Sequence, residues 1–221
     1  MSGDAARKRT GYAWDDYVSW DDDTRWEIIG GEAFDMSPAP GVEHQRVVSE
    51  LFVVLHRRFS DKKCEVLVSP VDVKLSEHDV VQPDIVIVCD RSKFQPSHID
   101  GAPTLLVEVF SPSTEVHDRL RKMALYARSG VKEVWLASPR AATVEVYVLD
   151  GDTYRLAGAY GREEKLKSGT FPGLTVNLRQ VFSAPQEGSE PVGIVREPGA
   201  SYKARPAPPP RRPLALRRRT G

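Results

Sequence analysis

The sequence predicts an α/β (α+β) protein: a central mixed β-sheet flanked by helices, with peripheral hairpins. Two short apolar runs, Asp84-Ile-Val-Ile-Val88 and Thr104-Leu-Leu-Val-Glu-Val-Phe110, have the composition of strands covered on both faces. From Thr104 to Ala137 a strand, a helical stretch and a second strand follow one another, the order of a right-handed crossover that places parallel strands in one sheet. Alternating segments turned by Gly30-Gly31 and Asp150-Gly151-Asp152 add antiparallel hairpins, so the sheet is mixed.

In chain order, Ala13 to Trp20 has the pattern of a short helix. Thr24 to Ile29 reads as a strand, and Glu32 to Met36 as its hairpin partner, closed by Ser37-Pro38. Gly41 to Phe59 is a helix, because Val47, Leu51, Val54, Leu55 and Arg58 recur at a spacing of three to four and form one stripe. Glu65 to Leu75 alternates apolar and polar residues and reads as one strand, with Pro70 imposing a bend or an edge position. After the runs 84–90 and 104–110, a helix covers about Glu115 to Ser129 and stops at Gly130. Its apolar stripe is Val116, Leu120, Met123, Ala124 and Ala127. Glu133 to Ala137, Thr143 to Leu149, Tyr154 to Tyr160 and Phe171 to Val176 are further strands, and a short helix ends at Phe182.

The 221 residues suffice for one substantial core. Acidic and basic residues balance at 31 each, but residues 201–221 carry lysine and arginine and no acid, so the remainder is acidic. Eight prolines fall in residues 183–221, a composition that cannot bury a core. Residues 1–11 are therefore expected to be a disordered N-terminus, 12–182 the folded domain, and 183–221 a disordered Pro/Arg-rich tail. That basic tail either contacts nucleic-acid phosphates or serves as a solvated spacer. Cys64 and Cys89 lie in or beside apolar strand patterns and are expected to be inert core residues. No stretch approaches the roughly 18 apolar residues of a membrane span, and a cytoplasmic setting without membrane partners is expected.

Glu108 is the only charge in its apolar run, and a buried carboxylate costs several kcal/mol (about 3–5) unless it is compensated. Asp84 opens the neighbouring central strand. In the helix that follows, Asp118, Lys122 and Tyr126 are spaced four apart and share one side, so Lys122 can lean toward the carboxylates. The set suits phosphodiester hydrolysis. Asp84 and Glu108 are candidate ligands of Mg²⁺, with Mn²⁺ able to substitute, and Lys122 is a candidate for orienting water or neutralising charge on phosphorus. Taken singly, each has a plainer explanation: a turn cap for Asp84, a buried ion pair for Glu108, an i,i+4 pair for Asp118 and Lys122.

Pro83-Asp84 followed by Glu108 resembles the PD-(D/E)XK nuclease signature. The wider stretch resembles the Uma-type restriction endonuclease family through Arg25-Trp-Glu-Ile-Ile-Gly-Gly-Glu32, Met36-Ser-Pro, Glu43-His44-Gln45, Gln82-Pro-Asp84, Val107-Glu-Val-Phe-Ser-Pro-Ser-Thr114, Asp118 to Lys122, and Tyr126-Ala127 before Gly130. The resemblance covers about residues 12–182. It implies a restriction-endonuclease-like core and Mg²⁺-dependent cleavage of DNA. It also implies that Glu32 and His44 line the same cleft as the catalytic set, although His44 falls on a helix face expected to be exposed. Phe110 stands where the superfamily has its lysine, two residues after Glu108, and Lys122 is the implied migrated replacement.

The alternative is a catalytically inactive nuclease fold that binds nucleic acid or regulates. A third is an interaction module baited by the proline-rich tail. Enzymes that cut both strands of a duplex are commonly dimers, so a homodimer is an expected assembly, although no segment marks an interface.

Overall fold

The protein is described by a computed structural model covering residues 11–21, 24–36, 39–60, 63–110 and 117–183, with backbone alone for 117–119. The chain divides into the units Met1–Ala184 and Pro185–Gly221, and the second lies outside the described residues, as do residues 1–10.

Helix α1 (Trp14–Ser19) leads into β1 (Trp26–Ile29) and β2 (Glu32–Asp35). These strands pair antiparallel through Gly30 and Gly31, whose φ values of 59° and 76° supply the left-handed backbone a two-residue hairpin turn requires. Helix α2 (Val42–Phe59) follows, then β3 (Glu65–Val68), β4 (Asp72–Ser76), β5 (Asp79–Val81), β6 (Ile85–Val88), β7 (His98–Asp100) and β8 (Leu105–Val109). Helix α3 (His117–Ser129) connects β8 to β9 (Glu133–Ser138), with which β8 runs parallel. A long hairpin, β10 (Thr143–Asp150) and β11 (Thr153–Gly161), precedes the small pair β12 (Lys165–Lys167) and β13 (Thr175–Asn177) and the turn of helix α4 (Leu178–Val181).

The expected central mixed sheet is present, but it is accompanied by a second. One sheet has six strands in the order β11-β10-β9-β8-β6-β3, and the other has five in the order β2-β1-β5-β4-β7. The stretch 65–75, read from its alternation as one bent strand, is the point of division. β3 pairs with β6 in the first sheet, whereas β4 pairs with β5 and β7 in the second. Pro70 has no N–H to give to a ladder, and the chain changes sheets there. The three-residue strands β5, β7 and β12 are absent from the sequence reading, and the final strand is Thr175–Asn177 rather than 171–176.

β6, β8 and β9 are covered on both faces. On one, Ile85, Ile87, Leu105 and Val107 pack with Val47, Leu51 and Leu55 of α2. On the other, Val86, Leu106, Val134 and Leu136 pack with Leu125 and Tyr126 of α3 and with Ile29, Val73 and Val81 of the five-stranded sheet. Helix α3 buries the expected stripe only in part: Ala127 is buried and Met123 packs against the core, Leu120 and Ala124 are exposed, and Val116 lies outside the described residues. Leu120 is 70 % exposed, while Leu125 and Tyr126 are fully enclosed. The face turned inward is the one carrying Lys122 and Tyr126, because it meets acidic residues rather than a purely apolar wall.

Cys64 and Cys89 are joined by a disulfide, which corrects their reading as separate inert residues. Glu65 pairs with Val88 across β3 and β6, so one step further along the same antiparallel register sets Cys64 opposite Cys89. No helix among the described residues is long and apolar enough to cross a membrane.

Candidate active site

Asp84 and Glu108 are brought together by strand register. Ile85 pairs with Val107 across β6 and β8, so extending the ladder by one residue puts Asp84 opposite Glu108. Pro83 ends the preceding segment. The Asp84 backbone carbonyl accepts from the Ser69 N–H (2.9 Å), and its Oδ2 accepts from the Val109 N–H (2.8 Å). Strand alternation sends Val107 and Val109 into the core against α2, and Glu108 therefore points to the α3 side. There its Oε1 accepts from the Tyr126 hydroxyl and from Lys122 Nζ at 3.2 Å.

Lys122 Nζ also donates to Glu27 Oε1 at 2.9 Å, and the same oxygen accepts from the Gln82 N–H at 2.9 Å. Glu27 comes from β1 in the five-stranded sheet, so the cluster spans the two sheets and α3. His44 of α2 closes it from the other side, with Nε2 3.2 Å from Asp84 Oδ2. The side chains of Glu27, Glu108 and Lys122 are 7, 10 and 12 % exposed, and the charges are strongly felt by one another.

Burial pushes the Glu108 carboxyl up to about 7; the Lys122 ammonium opposes this, and the neighbouring Asp84 and Glu27 charges add to it. Burial works to deprotonate Lys122, but Glu108 and Glu27 outweigh it and hold the ammonium charged well above the ordinary lysine range. Tyr126 is kept a phenol, by burial first and then by Glu108. At His44 burial favours the neutral ring, and hydrogen bonding and charge from Asp84 overcome it, leaving the imidazole above its usual value. His44 Nδ1 is buried without a hydrogen-bond partner among the described residues.

Two carboxylate oxygens, Asp84 Oδ1 and Glu108 Oε2, accept no hydrogen bond among the described residues. They are hard donors on facing strands, a set that fits a hydrated divalent cation such as Mg²⁺. No group of three or more His, Cys, Asp or Glu side chains among the described residues is arranged as a complete metal cage. A cation held here would draw its remaining ligands from water or from a bound phosphate.

The structure brings together Asp84, Glu108, Lys122 and His44. The placement of His44 on an exposed helix face is corrected: it is 8 % exposed, since it lies in the first turn of α2 against Asp84. Glu32 opens β2 opposite Ile29, and among the described residues the bonds uniting the cluster do not include it. The Asp118 side chain and Ser111 to Thr114 lie outside the described residues. Phe110 packs against the α3-side core and supplies no cation. Glu27 is the residue that sequence reasoning missed. The signal was the one that marked Glu108, a single carboxylate within the apolar run Trp26-Glu-Ile-Ile29.

A protein from Synechocystis sp., slr1290, is 25 % identical over 158 residues, covering 69 % of this chain and 82 % of its own. A crystal structure from Anabaena variabilis, described as a putative nuclease belonging to DUF820, superposes with a TM-score of 0.64 at 18 % identity, covering 77 % of this chain and 97 % of that one. The likeness extends to the fold. The family model Uma2, "Putative restriction endonuclease", matches residues 14–179, three-quarters of the chain, and the chain belongs to this family.

Proposed function

We propose that the protein is a Mg²⁺-dependent endonuclease, a hydrolase of DNA phosphodiester bonds, in which Asp84 and Glu108 hold the metal and Lys122 serves the attacking water. The observation that carries this is the buried Lys122 ammonium, fixed between Glu27 and Glu108 on a strand pair that sets Glu108 opposite Asp84. Such a fixed lysine beside two facing carboxylates is what the missing lysine at Phe110 leaves to be supplied. When bound, the metal polarises a phosphate oxygen and acidifies a water.

The chain's own residues do the positioning. Lys122 has three N–H bonds; two point at Glu27 and Glu108, which leaves one for the attacking water or a non-bridging phosphate oxygen. Glu108 and Glu27 together keep Lys122 protonated in a buried place. Tyr126 and Lys122 together occupy Glu108 Oε1 and so turn its Oε2 outward. His44 and the Val109 N–H do the same for Asp84, occupying Oδ2 and presenting Oδ1. Neutralising the developing negative charge on phosphorus by a fixed ammonium is the kind of term that lowers such a barrier most. Incubation of purified protein with plasmid DNA, with and without Mg²⁺ or Mn²⁺, tests the proposal. If Asp84→Ala and Glu108→Ala chains with wild-type circular dichroism still cleave at the wild-type rate, it fails.

One observation favours a second reading, a nuclease fold that binds DNA without cutting it. The site offers two carboxylates and no third ligand among the described residues, and Phe110 stands in the lysine position. Salt-sensitive DNA binding with no turnover in either metal would select it.

A further inference from the structure

A second feature stands at the opposite end of the same strands. Asp84 precedes β6 and Val109 ends β8, whereas Cys89 follows β6, Thr104 precedes β8 and Lys132 precedes β9. Around these last residues lies a cavity of about 490 Å³, and its lining includes Lys63, Lys93, Lys132 and Cys89. Three lysines there outnumber a single aspartate, Asp90, whose Oδ1 accepts from the Ser92 N–H and hydroxyl. Lys93 Nζ is held on the Ala102 carbonyl at 2.6 Å. Lys63 and Lys132 are exposed at the rim.

The wall of this cavity includes Cys89, one half of the Cys64–Cys89 disulfide, and both cysteines are only partly buried. Two independent chemistries therefore meet in one place. A positively charged cavity concentrates small anions, and a reachable disulfide reacts with thiolates. We propose that this cavity is a thiol–disulfide exchange site for anionic low-molecular-mass thiols, with Cys89 as the sulfur attacked. The proposal is independent of the nuclease assignment, since none of its residues belongs to the candidate active site.

The exchange runs in two steps. The ligand thiolate attacks Cys89 Sγ; the ligand–Cys89 bond forms as the Cys64–Cys89 bond breaks, and Cys64 leaves as a thiolate. A second ligand thiolate then attacks the ligand sulfur of the mixed disulfide, releasing the ligand's own disulfide and a Cys89 thiolate. Two ligand thiols are oxidised and the cystine takes up their two electrons, with the protons passing to the two cysteine thiolates through solvent. Cys89 is favoured as the target because it lines the cavity in which the lysines hold the incoming anionic thiolate.

The test uses the oxidised full chain and two matched thiols, anionic 2-mercaptoethanesulfonate and neutral 2-mercaptoethanol. Exchange is followed by intact mass after acid quenching and alkylation of the released thiol. The anionic thiol should react roughly tenfold faster per thiolate, an advantage that high salt erodes. It should disappear in a Lys63→Gln/Lys132→Gln chain, whose substitutions are at the exposed rim. Peptide mapping should find the adduct on Cys89 and the alkyl group on Cys64. Equal rates for the two thiols, an adduct on Cys64, or two free thiols in the air-oxidised protein would each overturn the assignment.

Discussion

Two glutamates on neighbouring strands are both withdrawn from water, and they are compensated in opposite ways. Glu133, at the start of β9, is fully buried and uses both oxygens: Oε1 accepts from Trp135 Nε1 at 2.5 Å, and Oε2 from the Ser168 hydroxyl at 2.9 Å and the Thr170 N–H at 2.6 Å. All its donors are neutral and all belong to the fold around it. Glu108, on β8, shares one oxygen between a phenol and an ammonium and leaves the other open. Burial of a carboxylate is therefore no sign of function in itself. An incompletely satisfied carboxylate beside a second carboxylate and a shared cation is such a sign, because only that arrangement has something left to give a ligand.

The comparison can be broken most sharply by removing each glutamate. Glu108→Ala should depress plasmid cleavage by about 10²–10³-fold, the scale of losing one preorganised charge-stabilising group, while the rate per folded molecule in Glu133→Ala stays at wild type. Glu133→Ala should instead cost about 3 kcal/mol in a urea melt, since three donors lose their acceptor. A fully folded Glu133→Ala chain that cannot cut DNA would erase the distinction.

Lys122→Met comes next. It leaves Glu27 and Glu108 buried without their cation and should destabilise the protein by about 3–5 kcal/mol at mildly alkaline pH. Because the folded Glu108 carboxyl is raised, its anion is penalised above about 7 and the penalty fades as the group protonates, so the loss should shrink toward acid pH. A pH-independent loss in paired melts would point to packing alone.

A smaller effect concerns the open oxygens. Mg²⁺ at roughly a hundredfold excess over its Kd should stabilise the wild type by about 2.7 kcal/mol and leave Asp84→Ala unmoved. Equal shifts in both chains, read by differential scanning fluorimetry, would place the cation elsewhere. The smallest effect belongs to His44. Its folded value is raised, so its pairing with Asp84 contributes fully below the unfolded histidine pKa of about 6.5 and is lost as pH rises through the folded value. The wild type should thus lose stability across neutrality relative to His44→Gln, and parallel Tm profiles would contradict this.

Long periodic segments were legible in the sequence, and short ones were not. Helix α2, the β1–β2 hairpin and the β8–α3–β9 crossover each carry enough repeats to fix their type. Strands of three residues such as β5 and β7 hold barely one alternation, and their pairing is set by the sheet they join. Asp84 and Glu108 were legible because a charge stands out in an apolar run. Glu27 carries the same mark, but one carboxylate after Trp26 looks like an ordinary hairpin residue until Lys122 arrives from across the fold. The inward face of α3 was legible in part: Lys122 was expected to lean toward the carboxylates, but the rule that buries apolar side chains also turned Leu120 inward, and it is 70 % exposed.

The division of the cluster between two sheets also has a consequence in time. Glu27 and Lys122 are 95 positions apart in the chain, and Gln82, which braces Glu27, lies 55 positions from it. At a synthesis rate of about 5–20 residues per second, roughly 5–20 s separate the emergence of the first carboxylate from that of its ammonium. A nascent chain from which Lys122 has not yet emerged holds Glu27 without its ammonium. The site is thus a late product of synthesis, closed only when parts of the chain made seconds apart have met.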